Sequence, residues 1–276
     1  MKTLHLLAFA SLVMAGCSGG TKTGGGDGDK PTVAFVTNNP DPWWNMAEAG
    51  GAAAAAKAKV ELVFRKPADG TPAAQKEEVE NAIGQGVKAV AVSVIDPRNQ
   101  KAFLDQIAGK VPLLAVDNDA PKSERAAYIG TDNYAAGRAV GKLAKEALGE
   151  KGGTVAIFVG RLDSLNARQR RQGVIDELFD RPALKDPNEF TDSPDGEAKG
   201  KYKLHEATLT DQPQGRAKAV ENAENFVNNL PEGNVCLVGL WAYNPPACLA
   251  AASKVKDEAK RARISIVGFD EDPTTL

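Results

Sequence analysis

The chain has 276 residues, 42% apolar and 25% charged, which places it among folded proteins of one large or two moderate domains. Lys and Arg number 34 against 36 Asp and Glu, a net charge of −2 without the basic excess that binding to nucleic-acid phosphates requires. Two histidines and three cysteines are too few for a structural zinc site or a disulfide scaffold, and no metal or cofactor is implied.

The first segment reads as an address. Lys2 precedes a short apolar run, Leu4 to Val13, which falls below the roughly 20 residues that span a bilayer. It ends in Met14-Ala15-Gly16-Cys17, small residues before a cysteine, which resembles a bacterial lipoprotein signal (residues 1–16) with Cys17 as the lipidated residue. Residues 17–30 are glycine-rich and read as a flexible tether that holds the body outside the cytoplasm.

From Pro31 the pattern alternates. Apolar strands are predicted at 32–36, 60–64, 89–95, 112–116 and 127–130, with helices at 44–58, 73–85 and 99–108 between them. A helix at 134–148 opens a second series. Its strands fall at 154–159, 203–209, 235–240 and 264–269, and its helices at 165–179, 215–229 and 247–261. Residues 180–201 read as a long surface loop. Nine strands in two βα series predict an α/β fold of two doubly wound, Rossmann-like lobes, 31–131 and 132–276. The final strand has no helix after it, so the second lobe is expected to be incomplete, as in a fragment truncated at its C-terminal end.

Motifs for catalysis are missing: there is no phosphate loop, no H-E-x-x-H and no G-x-S-x-G. His205 lies in a strand-like run and is expected to be structural, and Cys236 and Cys248 are expected to be core thiols. Polar and aromatic residues instead gather just past strand ends, where doubly wound sheets bind ligands. After the first strand come Asn38-Asn39-Pro40-Asp41-Pro42-Trp43-Trp44, and after the fourth Asp117-Asn118-Asp119. Asn166 to Arg171, Trp241-Ala242-Tyr243-Asn244 and Asp270-Glu271-Asp272 follow later strands. An indole face stacks on the C–H face of a sugar, and carboxylates and guanidinium forks bond vicinal hydroxyls.

In order, Thr37-Asn38-Asn39-Pro40, Val116-Asp117, Ile129 to Asn133, Ala167-Arg168-Gln169-Arg170 with Gly173, and Val267 to Asp270 resemble the ribose-type periplasmic sugar-binding proteins, the substrate-binding components of bacterial ABC importers. The resemblance spans residues 31–276 and implies a type I periplasmic-binding-protein fold that closes on a monosaccharide by a hinge. It implies that Asn39 bonds a hydroxyl, Trp44 stacks on the ring with Trp43 as a second candidate, and Asp117 holds two hydroxyls. Asn118 stands where ribose binders carry arginine. Arg168 would fork onto the sugar from the second lobe, Tyr243 or Asn244 would add a polar contact, and Asp270 would complete the pocket. The hinge would lie at Gly130-Thr131-Asp132 and near Glu271. The partners implied are a sugar, an ABC permease and a membrane reached only through the lipid; the protein would be a monomer at the cell envelope or in the periplasm and would carry out no chemistry.

Three other readings use the same residues. A sugar-responsive repressor of the lac-repressor type would need a helix-turn-helix where the signal-like run and tether stand. A sugar-acting enzyme would need a nucleophile–base pair. A ligand-presenting sensor for a membrane receptor would use the same pocket.

Overall fold

A computed structural model of the chain describes residues 30–272. The signal-like run, Cys17 and all of the tether before Lys30 lie outside the described residues. Strand β1 (Thr32–Val36) leads through a single 3-10 turn, Pro42–Trp44, into helix α1 (Asn45–Ala58). Then come β2 (Glu61–Arg65), α2 (Pro72–Gly84), β3 (Val90–Val92), α3 (Lys101–Ala108), β4 (Leu113–Val116) and β5 (Ala127–Ile129). These strands form one parallel sheet in the order β2-β1-β3-β4-β5. That order has its switch point between β1 and β3, so a crevice opens beyond their carboxyl ends. Helices α2 and α3 bury Val79, Ala82, Leu104 and Ile107 against Val36, Val90 and Val92 to make the first core.

The chain then passes through Gly130-Thr131-Asp132 into α4 (Asn133–Leu148), which Asp132 caps by accepting from Ala135 N at 3.0 Å. The second series contains β6 (Gly153–Val159), α5 (Leu165–Leu178), β7 (Ala198–Lys199), β8 (Tyr202–Leu204), β9 (Leu209–Thr210) and α6 (Arg216–Asn228). It ends with β10 (Val235–Gly239), α7 (Asn244–Ser253), α8 (Glu258–Arg261) and β11 (Ile264–Gly268). The second sheet runs β11-β10-β6-β8-β7, with β9 also pairing β6. Its strands β6 and β10 are apolar and almost wholly buried, as sheets covered on both faces require. Ile157, Phe158, Leu237, Cys236, Cys248 and Phe226 sit in this second, separate core.

Three elements differ from the sequence expectation. The predicted strand 203–209 is two short strands, β8 against Gly153–Val155 and β9 against Phe158–Val159. Between them the Thr208 hydroxyl donates to Asp195, outside the sheet, at 2.7 Å. The predicted helix 247–261 starts earlier, because Pro245 and Pro246 fit a first helical turn. It also breaks, because Asp257 accepts from Ala259 N and Lys260 N and starts a new helix. Residues 180–201 lie on the surface as expected, but they include β7 and are tied to α5 by side chains.

A cleft between two sheets

Residues that follow β1, β4, β6, β10 and β11 line one cavity. Asn38, Asn39, Asp41, Trp43, Trp44 and Asp117 come from the first lobe; Asn166, Arg170, Trp241, Ala242, Tyr243 and Asp270 come from the second. All three tryptophans of the chain therefore meet at one place.

The β1 loop presents the first two. Asp41 caps the turn through Trp43 N at 2.9 Å, and Asn39 Oδ1 accepts from Asp41 N at 2.9 Å. Trp44 is 3% exposed, edge-on to Phe35, and donates its Nε1–H to Asn38 Oδ1 at 3.2 Å. Trp43 is half-buried and perpendicular to Trp44, with ring centroids 4.9 Å apart. Trp44, the indole expected to stack on the ring, is thus packed inward with only an edge at the cleft, and Trp43 is the more open wall.

Asp117 sits past β4 in the left-handed region, at φ +60°. Its Oδ2 accepts from the Ser93 hydroxyl at 2.8 Å and from Asn38 Nδ2 at 3.5 Å. Asp270 also has a left-handed φ, +64°, and lies past β11. Arg170 stands between these carboxylates. Its Nη1 donates to Asp270 Oδ2 at 3.3 Å and to Leu240 O at 2.8 Å, its Nε donates to Asn133 Oδ1 at 2.8 Å, and its guanidinium lies 3.8 Å from the Phe269 ring centre. Burial raises both carboxylates above their ordinary range, while the cation of Arg170 pulls each back down. The close crossing of α4 and α5 sets Arg170 in place. A Cβ on Gly137 would fall 2.2 Å from Arg170 O, and one on Gly173 would fall 2.3 Å from Tyr134 O, so only glycine permits the approach.

Several residues predicted for the site do other work. Arg168 does not face the cleft: its Nε and Nη2 grip Asp192 at 2.8–3.0 Å, and its guanidinium lies over Phe190. On a helix at 100° per residue, Asn166 and Arg170 share one face and Arg168 points away from it. Asn118 is fully buried; its Nδ2 donates to Val94 O and its Oδ1 accepts from Asn166 N at 2.8 Å, so its amide is spent joining the lobes. Asn244 is likewise buried, with Oδ1 accepting from Trp241 N at 3.1 Å and Nδ2 donating to Asp211 at 2.8 Å. Tyr243 lines the cleft, but its hydroxyl donates to Asp211 at 2.6 Å and accepts from Gln212 at 2.8 Å, so the ring is what it offers. Burial lifts Asp211 to about 6 against the bonds it accepts from Tyr243 and Asn244. Asn38, Asp41, Asn166, Arg170 and Trp241, which the sequence placed past strand ends without assigning them a contact, also line the cleft.

The lobes touch around the cavity. Arg216 of α6 forks onto Asp41, with Nε to Oδ2 at 3.0 Å and Nη2 to Oδ1 at 3.1 Å, and its Nη1 donates to Asp272 at 3.2 Å. Arg161 Nη1 donates to Gly70 O at 2.8 Å, and Lys122 pairs with Glu189 at 3.0 Å. Gly130, Thr131 and Asp132 form the passage from one sheet to the other, with the Tyr128 hydroxyl donating to Asp117 O or Thr131 O at 2.8 and 3.0 Å. Glu271 follows β11 and Asp270. Among the described residues, no group of His, Cys, Asp and Glu could hold a metal, and no helix is long and apolar enough to cross a membrane.

A family model described as a periplasmic binding protein domain matches residues 33–276. A D-apiose import binding protein of Paraburkholderia graminis is 26% identical over 243 residues, covering 86% of this chain and 69% of the relative. Among solved structures, an ABC transporter solute binding protein of Burkholderia graminis in complex with D-arabinose superposes with a TM-score of 0.74 at 24% identity, over 91% of this chain and 80% of that one. A solute binding protein of Agrobacterium vitis bound with α-D-tagatopyranose gives 0.71 at 18% identity, over 90% and 78%. Both show the same two-lobed fold.

Proposed function

The chain belongs to the periplasmic binding protein domain family, and from that premise we propose that it captures a monosaccharide in the inter-lobe cleft and delivers it to an ABC permease. The observation that carries the reading is the pairing of indole walls with the Asp117–Arg170–Asp270 array, contributed by both lobes to one cavity. Apolar faces suit the ring carbons, and the carboxylates and guanidinium suit vicinal hydroxyls. The relatives support it: one is a D-apiose import binding protein, and others were solved with D-arabinose or D-tagatose. Asn39 and Asp270 bond hydroxyls, Trp43 packs on the ring, and Arg170 takes the role that the sequence suggested for Arg168.

The function is binding, not turnover. Gly130, Thr131 and Asp132, with Glu271, act as the hinge, and the Arg216–Asp41 fork holds the closed form in which the permease recognises the loaded protein. The body works outside the cytoplasm as a monomer, held to the membrane by lipid on Cys17 after removal of residues 1–16. Calorimetric titration with D-apiose, D-arabinose and D-tagatose tests the reading. One saturable site on the parent chain and none on Asp117→Ala, with the fold retained by circular dichroism, is expected. Equal binding by both chains would overturn the pocket assignment.

A further inference from the structure

Among the described residues, one buried side-chain polar atom has no hydrogen-bond partner: Nε1 of Trp241. The residue follows β10, is 8% exposed and lines the cleft beside Arg170 and Tyr243. Its backbone is held firmly. Trp241 N donates to Asn244 Oδ1 at 3.1 Å, and Trp241 O accepts from Asn244 N at 2.9 Å. Its ring is seated just as firmly. A Cβ on Gly160, past β6, would fall 2.1 Å from Cζ3 and 2.2 Å from Cε3, so the six-membered edge packs where only glycine leaves room. In an indole, Nε1 lies on the flank opposite Cε3 and Cζ3, so the N–H edge is turned away from β6.

The contrast with Trp44 is informative, because that indole N–H has an acceptor in Asn38. Buried donors in folded proteins are paired, and an unpaired one carries a desolvation penalty until an acceptor arrives. We propose that Trp241 Nε1–H is a ligand donor: it hydrogen-bonds one oxygen of the bound sugar and makes the site select for an acceptor at that position. This rests on the sugar-binding reading and adds a specificity determinant to it. It also separates the roles of the aromatics, with Trp43 offering a face and Trp241 an edge. A site with a buried donor discriminates strongly against an analogue that lacks the matching oxygen, since the donor is then left unpaired.

The test uses two replacements of Trp241, Trp241→Phe and the isosteric benzothienylalanine, which keeps the bicyclic shape and lacks the N–H. D-Arabinose, D-apiose, D-tagatose and their monodeoxy analogues are titrated by calorimetry into the full chain and both variants. For a sugar that binds, both variants should weaken affinity about tenfold, the worth of one buried hydrogen bond. One deoxy analogue should bind parent and variants within about twofold of each other, because the partner oxygen is already gone. A uniform change across all analogues, or no change, would overturn the assignment, as an indole satisfied by water would give. On the unsubstituted chain, the Trp241 indole N–H resonance should shift downfield and exchange more slowly when sugar is added; a resonance that does not respond to saturating sugar would also overturn it. Failure of the unsubstituted chain to bind any of these sugars would instead overturn the sugar reading, and this donor with it.

Discussion

Replacing Arg216 by alanine separates closure from folding. Arg216 is 47% exposed at the start of α6, while its partner Asp41 is 15% exposed and caps the turn that presents Trp43. Exposed ion pairs are worth about 0.2–1 kcal/mol, and a bidentate fork onto a largely buried carboxylate stands at the upper end. The fork to Asp41 crosses between the lobes, so its loss removes about 1 kcal/mol from the closed form and little from either lobe alone. Ligand affinity scales with the closed population, and Arg216→Ala should therefore weaken sugar binding about fivefold. The loss should fall on the dissociation rate, read by stopped-flow tryptophan fluorescence, with association changed little. Arg216→Lys keeps the charge without the fork and should lie between the two. An unchanged affinity and dissociation rate would exclude a role for the fork in closure, and so would a loss matched by an equal drop in unfolding free energy.

Two further outcomes follow from the same contacts. Arg168→Ala should leave sugar affinity within about twofold, whereas Arg170→Met should lower it about a hundredfold or more and cost about 3 kcal/mol in urea unfolding, because Asn133, Leu240 O and Asp270 lose a buried cation. Equal effects of the two substitutions would contradict the assignment. Asp211 has its folded pKa raised to about 6 by burial, so its contribution to stability is full below the unfolded value near 4 and is lost as pH rises through 6. That difference is on the order of 3 kcal/mol, and wild type should gain stability relative to Asp211→Asn between pH 7.5 and pH 4 in thermal melts. Parallel pH profiles for the two chains would refute it.

The strands of the first lobe were legible because each is a short apolar run between helices, and a doubly wound order then fixes where a site can lie. The strand-end positions of Trp43, Asp117 and Asp270 followed from that alone. The register of α5 did not. Almost every residue of this helix is buried, although most are polar, so no solvent face sets its phase and Arg168 could not be told from Arg170. One of its sides meets α4, another the cleft, and a third the segment 186–195, whose carboxylates and carbonyls occupy Arg168, Gln169 and Arg171. That segment reads as solvent loop because its partners lie far away in sequence. Asn118 and Asn244, expected at the ligand, have their amides engaged with protein groups instead, and an amide that both donates and accepts looks the same in the sequence in either setting.

A cleft built for one monosaccharide should take up a single sugar through Asp117. Native mass spectrometry of the full chain, purified without added ligand and then mixed with D-apiose, D-arabinose and D-tagatose, reads the stoichiometry. A single added sugar mass is expected on the parent chain and none on Asp117→Ala. A parent chain that takes up no sugar, or an Asp117→Ala chain that takes up as much, would contradict it.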